Sequence, residues 1–223
     1  MIYGSLIGKR FDGATFDSFK VDAGNRAAIE ACKRLVAGES DGVVLLGPVG
    51  GGKTHLLVAT AREFDRLHSS IPERHTPEEF VRLPSLDELM ASQKDSCDYS
   101  IPSLKQSEIS HHAHVQFWAI LDLVAALRKD SMEDNGQLPD RCLRCDLLVL
   151  DDLGREKISE FVLQELQRII DYRYRQMLPI AVASNMKRGE IASVYGEHTI
   201  SRWLHSCEVI GLKGADYRIE GGE

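Results

Sequence analysis

Three things are scarce in this chain of 223 residues. The first is length of apolar sequence. No apolar run approaches the ~20 residues of a membrane span, and the N-terminal stretch MIYGSLIGKRFDG lacks the apolar centre of a signal peptide. The second is paired cysteine. Cys32, Cys97, Cys142, Cys145 and Cys207 are odd in number, scattered and mostly beside apolar residues. That pattern suits a cytoplasmic protein in a reducing compartment better than a disulfide framework. The third is positive charge: 27 Lys and Arg stand against 34 Asp and Glu, for a net charge of −7. A chain of that balance does not coat nucleic acid electrostatically, so any such contact uses a local basic patch or many subunits acting together. Otherwise the composition is that of a soluble globular protein, 43% hydrophobic and 27% charged, long enough for one large domain or two small ones.

The stretch from Asp41 to Leu67 organises the rest. Val43 to Leu46 is a short, β-branched apolar run that predicts one buried strand. Gly47-Pro48-Val49-Gly50-Gly51-Gly52-Lys53-Thr54 then fits G-x-x-x-x-G-K-[ST] at every fixed position. Beyond it, Leu56, Leu57, Ala61, Phe64 and Leu67 recur with helical spacing. Strand, glycine loop and helix stand in the order a phosphate cradle requires. The glycines let backbone N–H groups turn inward, and the helix N-terminus adds the positive end of its dipole. ATP is the expected ligand, bound by Gly47 through His55, with Lys53 reaching the β- and γ-phosphates and Thr54 on Mg²⁺.

The remaining chain reads in order. Residues 1–24, with Phe11, Phe16 and Phe19, form an irregular segment laid over the core, either one wall of a base pocket or simple packing. The core follows from residue 25 to 223. Asn25 is placed to cap a helix with the stripe Ala28, Ile29, Cys32, Leu35 and Val36, ended by Gly38. Residues 68–114 break the pattern with Pro72, Pro77, Pro84 and Pro102 and five histidines, and read as an insertion that holds at most a short helix from Pro84 to Gln93. His111, His112 and His114 together with Cys142 and Cys145 invite a structural zinc. No second CxxC exists, however, and the imidazoles are bunched, so solvated histidines and packed thiols are the default.

Val115 to Ile120 reads as a strand, Leu121 to Lys129 as a helix and DSMEDNG as an acidic loop. Leu147-Leu148-Val149-Leu150-Asp151-Asp152 is a buried strand that delivers two carboxylates to its C-terminal end. Asp151 is expected to orient the Mg²⁺ shell and Asp152 to polarise the attacking water. A long helix with Phe161, Val162, Leu166, Ile169 and Ile170 on one side carries Arg168, Arg173 and Arg175 on its other side and its end. The strand Pro179 to Ala183 runs into Ser184-Asn185, an amide that either bonds the γ-phosphate or water, or only makes a turn. Two short helices, Gly189 to Tyr195 and His198 to Leu204, and a strand at Cys207 to Leu212 complete the pattern.

With LLVLDDLG, AVASN, ISRWLHSCEVIGLKG and DYR in this order behind the phosphate loop, the chain resembles the AAA+ ATPases of the DnaC/DnaI helicase-loader and IstB transposition-helper type, from about Phe11 to Arg218. The resemblance implies an α/β P-loop fold with a five-stranded parallel sheet flanked by helices and no separate helical lid domain. It puts the strand ending at Asn185 between the phosphate-loop and carboxylate strands. It makes Asn185 a sensor, Arg202 the finger that completes a neighbour's ATP site, and Arg218 a second-sensor-like arginine. It further implies nucleotide-dependent homo-oligomers, single-stranded DNA, and a replicative helicase or transposase as partner.

Three features depart from the pattern. Asp152 stands where Glu is commoner, which shortens the side chain by a methylene and implies slow hydrolysis. Only residues 1–24 precede the core where loaders usually carry a partner-binding domain, so a helicase partnership needs a separate protein to supply the contact. The insertion has no counterpart. Two other function classes share the phosphate loop: a small-molecule kinase, which needs an arginine-bearing lid, and a nucleotide-gated adaptor that does not hydrolyse. The segment 68–114 offers such a lid only Arg74 and Arg82.

Overall fold

A computed structural model describes residues 2–5, 7–69, 114–132, 137–154 and 159–212. The strands are β1 (Ile2–Gly4), β2 (Gly42–Leu46), β3 (Val115–Ala119), β4 (Leu147–Leu153), β5 (Ile180–Ser184) and β6 (Glu208–Gly211). They form one parallel sheet in the order β1-β3-β4-β5-β2-β6. The period-2 alternation of a strand decides which layer each residue serves. Val43, Leu45, Leu147, Val149, Ala181 and Ala183 face one apolar cluster; Val44, Leu148, Leu150, Ile180 and Val182 face another.

The first cluster is covered by α1 (Arg26–Ala37), α2 (Lys53–His68) and the N-terminal segment through Ala14 and Phe19. The second is covered by α3 (Ile120–Met132), α4 (Gln137–Arg144), α5 (Glu160–Arg175), α6 (Arg188–Tyr195) and α7 (Glu197–Ser206). No lid stands apart among the described residues, since Ile191 and Tyr195 of α6 and Ile200 and Trp203 of α7 share the cluster of β4 and β5. The fold is thus a helix–sheet–helix sandwich, with β5 lying between β2 and β4 as expected.

The sheet has six strands among the described residues rather than five. The additional one is β1, within the segment expected to be irregular. Three residues are too few to show a period, and β1 is held from outside its own sequence. It pairs with β3, Ser5 N–H donates to the Phe117 carbonyl at 2.7 Å, and Ala119 N–H donates to Ser5 Oγ at 3.0 Å. Gly4 makes this approach possible, because its φ is 110° and a Cβ there would collide with the Phe117 carbonyl oxygen. The helix α4 is also additional. It is short and carries Pro139, which is tolerated only because it falls in the first turn.

Arg173 corrects the expectation for α5: it is 1% exposed, not on a polar side. Its Nη1 donates to the carbonyls of Cys142, Leu143 and Cys145, and its Nη2 donates to that of Pro179 at 2.6 Å. A cation suits the carbonyl-rich C-terminus of α4. Cys142 and Cys145 lie in the second apolar cluster, where burial pushes both thiols up. Such environments disfavour the thiolate that a metal would need. Their histidine partners His111 and His112, Cys97, the possible helix from Pro84 to Gln93 and Arg218 lie outside the described residues. Asn25 does precede α1, but its amide turns backward, accepting from Asp22 N–H at 2.8 Å instead of capping the helix. At the other end Gly38, with φ 74°, ends α1 as expected.

Candidate nucleotide-binding site

The C-terminal ends of β2, β5 and β4 are neighbours, so the three loops that leave them converge. From β2 comes the glycine loop. Gly50 and Gly52 have φ of 81° and 82°, conformations in which a side chain is strained, and Gly52 opens α2. The first N–H groups of a helix have no acceptor within it, so the start of α2 is suited to an anion. Phe19 closes over this turn, because a Cβ on Gly52 would lie 2.6 Å from its ring. His55 turns its ring toward the N-terminal segment: Nε2 is 2.9 Å from the Thr15 carbonyl and 3.2 Å from Ser18 Oγ, and the ring meets Phe19 edge-on. Residues 15–19 therefore pack onto the helix that begins with the phosphate loop.

Lys53 is 5% exposed. Its Nζ donates to the carbonyls of Gly47 at 2.8 Å and Pro48 at 2.7 Å, and to Asn185 Oδ1 at 2.8 Å. Asn185 reaches the other way as well, its Nδ2 donating to Asp152 Oδ1 at 3.4 Å. One amide thus joins the loop lysine to the second carboxylate of β4. The strand pairing explains how Asp152 comes to this place. Leu150 pairs with Val182 and Leu153 with Ser184, so Asp151 and Asp152 together oppose Ala183 and form a bulge. Asp152 takes φ 58°, rare for a residue with a side chain. The bulge is closed by Ser184 Oγ, which donates to the Leu153 carbonyl at 2.6 Å.

Asp151 is buried, and its pKa is raised to about 6. Desolvation is the main cause, and the Asp152 carboxylate adds to it. Opposing these are a hydrogen bond from Thr54, the Asp152 N–H at 2.9 Å and the charge of Lys53. A hydroxyl and a carboxylate in contact are the hard oxygen donors that Mg²⁺ takes alongside phosphate and water, so this pair fits the ion.

Of the residues singled out from the sequence, the fold brings Lys53, Thr54, Asp151, Asp152 and Asn185 together. Arg202 stands elsewhere: it lies on α7 and pairs with Asp171 on α5, Nη2 to Oδ1 at 2.7 Å. Two features escaped the sequence reading. The bulge and positive φ at Asp152 carry no residue signature. The Lys53–Asn185 bond itself has no sequence signature either, although the adjacency of β2 and β5 on which it depends is what the resemblance implies.

The profile of a family described as IstB-like ATP binding protein matches residues 101–221, more than half of the chain, beginning after the phosphate loop. No curated protein matches. Among solved structures, the DnaC helicase loader is 21% identical with a TM-score of 0.67, over 92% of this chain and 100% of that one. DnaI is 19% identical with a TM-score of 0.64, over 96% of each chain. Replication initiator DnaA bound to AMPPCP and single-stranded DNA is 19% identical with a TM-score of 0.65, over 92% of this chain, which spans 51% of that one. At such identities these likenesses show the fold. No helix among the described residues is long and apolar enough to cross a membrane. With the matched stretch holding Asp151, Asp152, Asn185 and Arg202, the chain belongs to the IstB-like ATP-binding protein family.

Proposed function

We propose that this protein binds ATP with Mg²⁺, hydrolyses it, and uses the cycle to load or remodel a partner on DNA, as a replicative helicase loader does. The observation that carries the reading is the chain of contacts from Lys53 through Asn185 to Asp152. It ties the group that would hold the γ-phosphate to the carboxylate that would accept a proton from water. Thr54 and Asp151 would hold Mg²⁺, which supplies positive charge at the phosphates. Asn185 would sense whether Lys53 is engaged by phosphate, because the amide oxygen and a phosphate oxygen compete for the same ammonium. Loss of that bond would free the amide beside Asp152. Arg202 would act on the site of a neighbouring copy, and Arg218 would contact nucleotide.

Single-stranded DNA and a helicase are the expected partners, with a nucleotide-dependent assembly of the chain as the working form. The match of residues 101–221 to the IstB-like family favours a second reading, in which the partner is a transposase. The test is ATP hydrolysis with and without single-stranded DNA, followed by identification of the protein retained by the chain with both ligands present. DNA-stimulated hydrolysis and a retained helicase support the first reading; a retained transposase supports the second. Phosphoryl transfer to a small acceptor would make the protein a kinase and overturn both.

A further inference from the structure

The junction of α5 and α7 carries an ion cluster with no part in the phosphate site of its own chain. Asp171 forms ion pairs with two arginines on separate oxygens: Arg202 Nη2 lies 2.7 Å from Oδ1, and Arg175 Nη2 lies 2.8 Å from Oδ2. The two helices are fixed against each other here. Thr199, Ile200 and Trp203 of α7 are buried, and Tyr174 of α5 meets His205 of α7 edge-on, its Oη 3.3 Å from Nδ1. On so rigid a base, the remaining freedom is that of the arginine side chain itself.

The Arg202 side chain is 33% exposed and that of Asp171 28%. An ion pair so open to water adds little to stability. Its effect is geometric, because it confines a long, rotamer-rich side chain to one direction. Arg175 lies against Oδ2 and Arg202 against Oδ1. Two guanidinium groups share one carboxylate, and the cluster stays net positive. The pairing therefore steadies Arg202 without cancelling the charge that an anion would meet.

The geometry points to Asp171 as a positioning residue for Arg202: it holds the guanidinium, oriented and still cationic, for the triphosphate bound by a second copy of this chain. The inference rests on the reading of Arg202 as an arginine acting in trans. Positioning of this kind acts on the rate at saturation more than on nucleotide affinity, since the charge matters most as the transition state develops.

The test is steady-state ATP hydrolysis by the full chain with single-stranded DNA, for the wild type, Asp171→Asn, Asp171→Glu, Arg202→Ala and the double variant Asp171→Asn/Arg202→Ala. Asp171→Asn should lower kcat roughly ten- to a hundredfold with KM within about twofold, as misplacing a reacting group does. Asp171→Glu should recover much of the loss. The double variant should be no slower than Arg202→Ala alone, because a residue that acts through Arg202 has nothing left to position. A wild-type kcat in Asp171→Asn beside a collapsed rate in Arg202→Ala would overturn this inference and leave the trans arginine standing. A double variant slowed by the product of both single effects would overturn it too, as damage to α5 instead of to aim. A wild-type rate in Arg202→Ala would remove both.

Discussion

Lys53 is held by three oxygens that phosphate would have to displace or join, and it is the only residue of the loop with a side-chain cation. Lys53→Ala should therefore weaken ATP binding roughly ten- to a hundredfold or more, the value of charge-assisted hydrogen bonds, as titration calorimetry would read. Asp152→Asn keeps the shape and the contact region but cannot take a proton from water. It should bind ATP as the wild type does and hydrolyse it far more slowly; an unchanged rate would remove Asp152 from the role of base. Asp151 makes a different prediction, about stability. Its folded pKa of about 6 lies above the ordinary carboxylate value, so the folded state holds the proton more tightly than the unfolded chain does. Stability from this group is complete below about pH 4 and is lost as pH rises through about 6. With EDTA present, Asp151→Asn should raise stability to urea at pH 7.5 by an amount on the order of 3 kcal/mol, and the gain should vanish near pH 4. A gain that persists at pH 4 would point to packing instead of charge.

At the scale of elements, Arg173 binds the end of α4 to the start of β5 through four carbonyl oxygens. Arg173→Met fills similar volume but leaves those carbonyls without their donor. It should cost about 3 kcal/mol in urea unfolding, while spectra of the remaining folded protein stay native. A loss below about 0.5 kcal/mol would mean that water replaces the guanidinium without penalty. This residue also shows where sequence reading stops. An arginine near the end of an amphipathic helix looks solvated, and nothing local reveals that another helix ends against it. For the same reason α4 and β1 were not foreseen: each is short, and each is stabilised by contacts from distant sequence. By contrast, β2, β4 and β5 were legible because buried parallel strands must be apolar on both faces, and their residues divide cleanly between the two clusters. The phosphate loop was legible because its glycines and lysine stand at fixed spacing. The resemblance supplied the strand order and with it the meeting of Asn185 with the carboxylates; the bulge that sets Asp152 at φ 58° was visible in neither.

At the scale of the whole molecule, the decisive question is whether one chain suffices for hydrolysis. Arg202 is engaged by Asp171 on α5, and its expected phosphate belongs to another copy. An arginine supplied across an interface stabilises the charge that spreads over the transferring phosphoryl group, an effect worth roughly 10³–10⁵ in rate in comparable phosphoryl-transfer sites. Arg202→Ala should then keep ATP affinity and lose hydrolysis. Wild-type hydrolysis should rise more than linearly with protein concentration, because a site completed by a trans arginine needs two chains. Mixing Arg202→Ala with Lys53→Ala gives the sharpest reading. Neither variant is active alone, yet one of the mixed interfaces joins an intact Lys53 on the first chain to an intact Arg202 on the second. Partial recovery on mixing, with a maximum near equal proportions, is the expected result. Specific activity that is independent of concentration, with no recovery on mixing in the presence of DNA, would show a self-contained site and end the assembly reading.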